Sequence, residues 1–177
     1  MEEYKFTAED REFMQKAIDL SIENVANGGG PFGAVIVCDG KVIATGTNRV
    51  TANNDPTAHA EVSAIREACA KEQNFKLTGC TCYTSCEPCP MCLSALYWAG
   101  VERIIYGNTK EDAKAINFDD SFIYDEIAKP YVARTIPCHN FMRKEALAGF
   151  KAWSEKEDKI ENKPENSEKP RPKYRPS

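Results

Sequence analysis

Two short motifs carry residues whose types and spacing can do chemistry, His59-Ala60-Glu61 and Pro88-Cys89-Pro90-Met91-Cys92. Each reads as the start of a helix. At positions i and i+3, Cys89 and Cys92 fall on one helical face, and the positive end of that helix favours their thiolates. Two sulfurs and one imidazole from His59 suit zinc (Zn2+). Three protein ligands leave the fourth tetrahedral position to water, the pattern of a catalytic site rather than a closed structural one. Glu61 lies two residues beyond the imidazole, where a carboxylate can move protons without being a ligand. Two plainer readings stand beside this one: a Cys-x-x-Cys redox pair, and a structural site completed by Cys82 or Cys86.

The elements that must position these residues follow from periodicity and turn residues. Thr7-Ala8-Glu9-Asp10 is a hydroxyl N-cap followed by carboxylates, and it opens a helix that ends at Asn27-Gly28. Residues 33–38 and 41–47 read as two strands joined by Asp39-Gly40, a dipeptide suited to a tight hairpin turn. A helix over 58–71 carries the histidine motif and a strand over 80–85 leads to a helix over 88–98, with its prolines in the first turn. A strand over 103–107, a short helix over 110–116, a last strand over 134–141 and a helix over 143–156 complete the order. Five strands among these helices predict an α/β domain of three layers, α/β/α, built on a mixed, largely parallel five-stranded sheet opened by an antiparallel hairpin.

The 177 residues include 27 acidic and 23 basic side chains, a formal charge of −4. No basic cluster precedes Lys163, which counts against nucleic acid as a partner. A content of 42% hydrophobic and 10% aromatic residues excludes collagen-like, coiled-coil and wholly disordered chains. The polar start, Met1-Glu2-Glu3, has no feature of a secretory signal, and no apolar run nears the roughly 18–20 residues that span a bilayer. A soluble, cytoplasmic protein without membrane contact is expected. In that reducing setting Cys38, Cys69, Cys80, Cys82 and Cys138 are expected to pack as small hydrophobes rather than to form disulfides. Residues 1–155 suffice for the domain, and 156–177, rich in Lys, Glu, Asn and Pro, read as a polar, disordered tail.

Taken together, His59-x-Glu61 and Pro88-Cys89-x-x-Cys92 resemble the signature of the zinc-dependent cytidine deaminase superfamily. Within it, residues 30–37, 54–61, 83–92 and 118–124, with Arg134-Thr135-Ile136-Pro137 and Phe150-x-x-Trp153 behind them, resemble the guanine deaminase family over about residues 28–153. The resemblance implies the cytidine deaminase-like fold and hydrolysis of guanine to xanthine and ammonia. It also implies zinc on His59, Cys89 and Cys92, with Glu61 as proton shuttle. It assigns Phe32 and Asn48 to sandwiching and orienting the base, Ala60 to donating a backbone N–H, and Asp120 to the guanine edge. It further implies a homodimer in which C-terminal segments are exchanged and help close the partner's site. Read without the resemblance, Phe32 is an ordinary core aromatic, Asn48 a turn residue, and Asp119 and Asp120 caps or solvated loop acids. The chain departs from the family in running on to Tyr174, which leaves the lid residue open. Alternatives are guanosine, another purine or an aminotriazine as substrate, tRNA editing, or a catalytically silent binding protein of the same fold.

Overall fold

The computed structural model describes residues 5–162, in two compact units divided after Asp120. The first holds the helix α1 (Ala8–Ala26), the strands β1 (Gly33–Cys38) and β2 (Lys41–Thr47), and the one-turn helix α2 (Val50–Asn53). Then come α3 (Ala60–Glu72), β3 (Thr81–Cys86), α4 (Pro90–Ala99), β4 (Arg103–Asn108) and α5 (Lys110–Ala115). Thr7 caps α1 through a reciprocal box with Asp10, as its spacing predicts. Positive φ angles of 48° at Asp39 and 70° at Gly40 turn β1 into β2.

The sheet order is β2-β1-β3-β4. Strand β1 is antiparallel to both β2 and β3, and β3 is parallel to β4. The carboxyl ends of β2, β3 and β4 therefore share one edge of the sheet with the start of β1. Helix α1 covers one face, where Ala17, Phe13 and Leu20 meet Val35, Val37 and Tyr83. Helices α3 and α4 cover the other, where Ala60, Ala64, Ala68 and Leu96 meet Ala34, Ile36, Ala44 and Cys82. The three layers are as expected. Small residues let α3 ride close to the sheet: a Cβ on Gly46 would lie 2.0 Å from the Ala60 carbonyl oxygen and 2.6 Å from the Ala64 nitrogen.

The second unit starts at Ser121, with helix α6 (Ser121–Ala128), a 3-10 turn (Tyr131–Ala133) and helix α7 (Arg143–Glu155). Among the described residues the sheet has four strands, not five, and a single neighbouring pair is parallel. The expected fifth strand over 134–141 is irregular. Its first residues bond to α6 instead: the Arg134 guanidinium donates to the Ile127 and Lys129 carbonyls at 3.2 Å, and the Thr135 N–H donates to Glu126 at 2.6 Å. An N–H used that way is lost to a strand ladder. Residues 156–162 form neither helix nor strand, and the rest of the expected tail, with Tyr174, lies outside the described residues.

The cysteines need two corrections. Cys38 and Cys80 are joined by a disulfide, because the end of β1 and the residue before β3 are cross-strand neighbours with Cα atoms 4.3 Å apart. Cys138 is exposed rather than packed, whereas Cys82 is buried and Cys69 half-buried.

Candidate active site

Two helix starts converge at the shared strand edge. His59 is the N-cap of α3 and Cys89 the N-cap of α4, both with extended backbone, while Pro90 takes the first helical position, where a missing N–H costs nothing. Cys92 follows one turn on. His59 Nδ1 lies 3.6 Å from the Cys89 sulfur and 3.6 Å from the Cys92 sulfur. The three ligand atoms lie within 4.8 Å of one another. Tetrahedral zinc, with bonds of about 2.3 Å to sulfur and 2.0–2.1 Å to nitrogen, holds N and S about 3.6 Å apart. The donor set fits that ion in both chemistry and spacing.

The reading as a structural site with a fourth sulfur is not favoured by this geometry. Cys86 donates to the Thr109 carbonyl at 3.7 Å, and neither it nor Cys82 joins the ligand cluster among the described residues. A shared hydrogen bond with Cys92 pulls the Cys89 thiol down to about 4 against the effect of burial, aided by His59, and the same bond pushes Cys92 up. The hydrogen bond to Cys89 raises His59.

Glu61 sits in the first turn of α3 and is 6% exposed. Burial raises its carboxyl above the usual range, although hydrogen bonds from its own N–H, Cys92 and the Thr84 hydroxyl oppose the shift. Thr84 donates to Glu61 Oε1 at 3.0 Å. Ala60 is the first helical residue of α3, a position whose N–H has no i−4 acceptor.

The loop before β1 and the end of β2 supply another wall. The Phe32 ring meets Phe118 edge-on, with centroids 5.0 Å apart. Asn48 is buried, and its side-chain oxygen accepts from the Val50 N–H at 3.4 Å. Sequence reasoning missed the group that ties these pieces together. The Asn24 amide donates to the Gly30 and Asn48 carbonyls, each at 2.8 Å, clipping the loop to the strand end. The signal for it was an amide at helical spacing from Ala17 and Leu20 on the inward face of α1.

The two candidate acids separate. Asp119 pairs with Lys114 at 3.0 Å. Asp120 is half-buried, and its Oδ1 is buried with no hydrogen-bond partner among the described residues. Burial raises its carboxyl, helped by the charge on Cys89. An unmet buried acceptor costs free energy until a donor arrives.

Residues 7–108 match the family described as the cytidine and deoxycytidylate deaminase zinc-binding region. The guanine deaminase of Bacillus subtilis is 54% identical over 142 residues, 80% of this chain and 91% of the relative. The X-ray structure of a Bacillus subtilis guanine deaminase superposes with a TM-score of 0.84 at 52% identity, covering 86% of this chain and 98% of that one. A tRNA-specific adenosine deaminase of Buchnera aphidicola is 37% identical over 105 residues, 59% of this chain and 70% of its own. With its ligand triplet at helix starts, its neighbouring glutamate and these likenesses, the chain belongs to the zinc-binding cytidine and deoxycytidylate deaminase family, on its guanine deaminase branch.

Proposed function

We propose that this chain is a zinc aminohydrolase that converts guanine and water to xanthine and ammonia. The observation that carries the reading is the triplet His59, Cys89 and Cys92, spaced for tetrahedral zinc beside the buried Glu61. The likeness to the Bacillus subtilis guanine deaminase supports guanine as the base. When bound, zinc supplies Lewis acidity that makes water nucleophilic near neutral pH.

The chain's own residues do the rest. Glu61 takes a proton from the attacking water and passes it to the ring nitrogen beside the amine-bearing carbon, then takes the second proton from the hydroxyl now on that carbon and gives it to the amine, which leaves as ammonia. Asp120 accepts from the guanine edge, whose N1–H and C2 amino group are adjacent donors. Phe32 stacks on the base, Asn48 orients it, and the Ala60 N–H donates to it. Adenine offers an unprotonated N1 at that edge and would leave the Asp120 acceptor unmet.

Two features support a homodimer with exchanged C-terminal segments. Strand β4 ends the sheet order, and an apolar groove of about 440 Å³ runs along Phe6, Ile104, Ile105 and Tyr106. Residues 134–141 leave two large apolar side chains exposed, Ile136 at 75% and Phe141 at 84%. In the proposed dimer this segment of one copy adds to β4 of the other as the fifth strand. Among the described residues no helix is long and apolar enough to cross a membrane. We place the enzyme in the cytoplasm, where thiolate ligands stay reduced, although the Cys38–Cys80 disulfide is not a bond that a reducing compartment favours.

A panel of guanine, guanosine, adenosine, cytidine and cytosine scored for ammonia release tests the reading. Guanine is expected to be the preferred substrate. Preference for guanosine would replace the base by its nucleoside, and no release from any would turn the reading to a silent binding protein. The tRNA-specific relative motivates one further arm, a tRNA substrate, against which the net charge of −4 counts.

A further inference from the structure

We propose that Thr84 is a positioning residue for the proton carrier: its hydroxyl pins one oxygen of the Glu61 carboxylate and so aims the other at the reaction. The inference rests on the reading of Glu61 given above.

Side chains alternate along β3, so Tyr83 faces α1 while Cys82 and Thr84 face α3 and α4. Thr84 pairs with Ala34 in the centre of the sheet and is 1% exposed. Valine has nearly the same shape, suits a central strand, and carries no polar atom to desolvate. Packing therefore gives no reason for a hydroxyl there. The 3.0 Å bond to Glu61 Oε1 does. Ser85 cannot share the task, because it lies on the opposite face, where its Oγ accepts from the Gly33 N–H at 3.1 Å.

Glu61 is fixed by α3 at its backbone, but three side-chain torsions separate that anchor from the carboxylate. The bond from Thr84 ties the tip to the most buried strand of the sheet. Proton transfer demands hydrogen-bond reach, and an error of about 1 Å in placing a reacting group costs on the order of 100-fold in rate. With Oε1 held by Thr84, proton traffic falls to Oε2.

Thr84→Val and Thr84→Ser in the full-length zinc enzyme test this. Zinc content, melting temperature, kcat and KM for guanine are measured for each. Thr84→Val should keep zinc and melting near wild type and KM within about 3-fold, while kcat falls about 10- to 100-fold. Thr84→Ser, which restores the hydroxyl, should recover kcat to within about 3-fold. Thr84→Ala, which leaves a small void rather than an apolar group against the carboxylate, should show the same kcat loss and serves if the valine variant does not fold. Wild-type kcat without the hydroxyl overturns the proposal, as does a serine variant as slow as the valine one or a defect confined to KM or zinc content. Glu61→Gln separates the two levels: normal turnover there overturns the proton-carrier reading itself, whereas a slow Glu61→Gln beside a normal Thr84→Val overturns Thr84 alone.

Discussion

At the scale of single residues, the ligand set and the proposed pocket acid respond to different substitutions. Cys89→Ser replaces a thiolate by a hydroxyl, a far poorer zinc donor, so elemental analysis should find most of the metal gone and turnover with it. Full zinc with normal turnover would remove Cys89 from the ligand set. Asp120→Asn keeps the shape but exchanges an acceptor for a donor in a carboxyl whose buried oxygen has no partner among the described residues. Guanine kcat/KM should fall at least about 100-fold, while zinc content and melting stay near wild type, since a mispaired buried contact costs a few kcal/mol. Asp119→Asn breaks an exposed ion pair with Lys114 and should leave kcat/KM within about 3-fold. The reverse result would exchange the two roles.

At the scale of elements, the fit of helices to the sheet sets the site. Gly46→Ala would drive a methyl into the backbone of α3 at Ala60 and Ala64, one residue from His59. Overpacking of this kind costs about 1–3 kcal/mol or more, so the melting temperature should drop and zinc retention in dialysis against a chelator should weaken. An unchanged melting temperature would mean that α3 is free to move off the sheet. Helix α1 is held to the other face by Asp10, which accepts from the Tyr83 hydroxyl at 2.7 Å and pairs with Arg103 at 3.5 Å. Burial pushes the Asp10 carboxyl up, but bonds from Thr7 and Tyr83 and the charge of Arg103 outweigh it and hold it below the usual carboxylate range. A carboxyl depressed on folding contributes stability that is full above its unfolded pKa of about 3.9 and is lost as pH falls through the lower folded value. Asp10→Asn should therefore cost about 2 kcal/mol in urea unfolding at pH 7, with the gap to wild type narrowing below about pH 4. A gap that does not change with pH would deny the carboxylate that role.

At the scale of the whole molecule, the proposed exchange of C-terminal segments makes a prediction about size. The second unit leaves Ile136, Phe141 and Phe150 at least 75% exposed, a large apolar surface for its length. Sedimentation should find a dimer for the wild type, and Ile136→Asp with Phe141→Asp should shift it to monomer with loss of turnover. A wild-type monomer with full activity would overturn the exchange.

The metal site was legible in the sequence because its geometry is local. His59, Cys89 and Cys92 owe their places to two helix starts, and helix starts are written in short motifs with proline at the first helical position. The hairpin at Asp39-Gly40 and the box at Thr7 are local in the same sense. What the chain decides only by folding depends on partners far away along it. Asn24 meets Asn48, Thr84 meets Glu61 and Cys38 meets Cys80 across separations of 24, 23 and 42 residues. No pattern around either member announces such a pair. Asp119 and Asp120 likewise differ only once the chain is folded, Lys114 pairing with the first while the second is half-buried with an oxygen that has no donor among the described residues. Residues 134–141 show the limit from the other side. Their sequence predicts a strand, yet a strand is a property of a pair of segments, and here the Arg134 N–H bonds to the Tyr131 carbonyl and the Thr135 N–H to Glu126 of α6 instead of to a neighbouring strand.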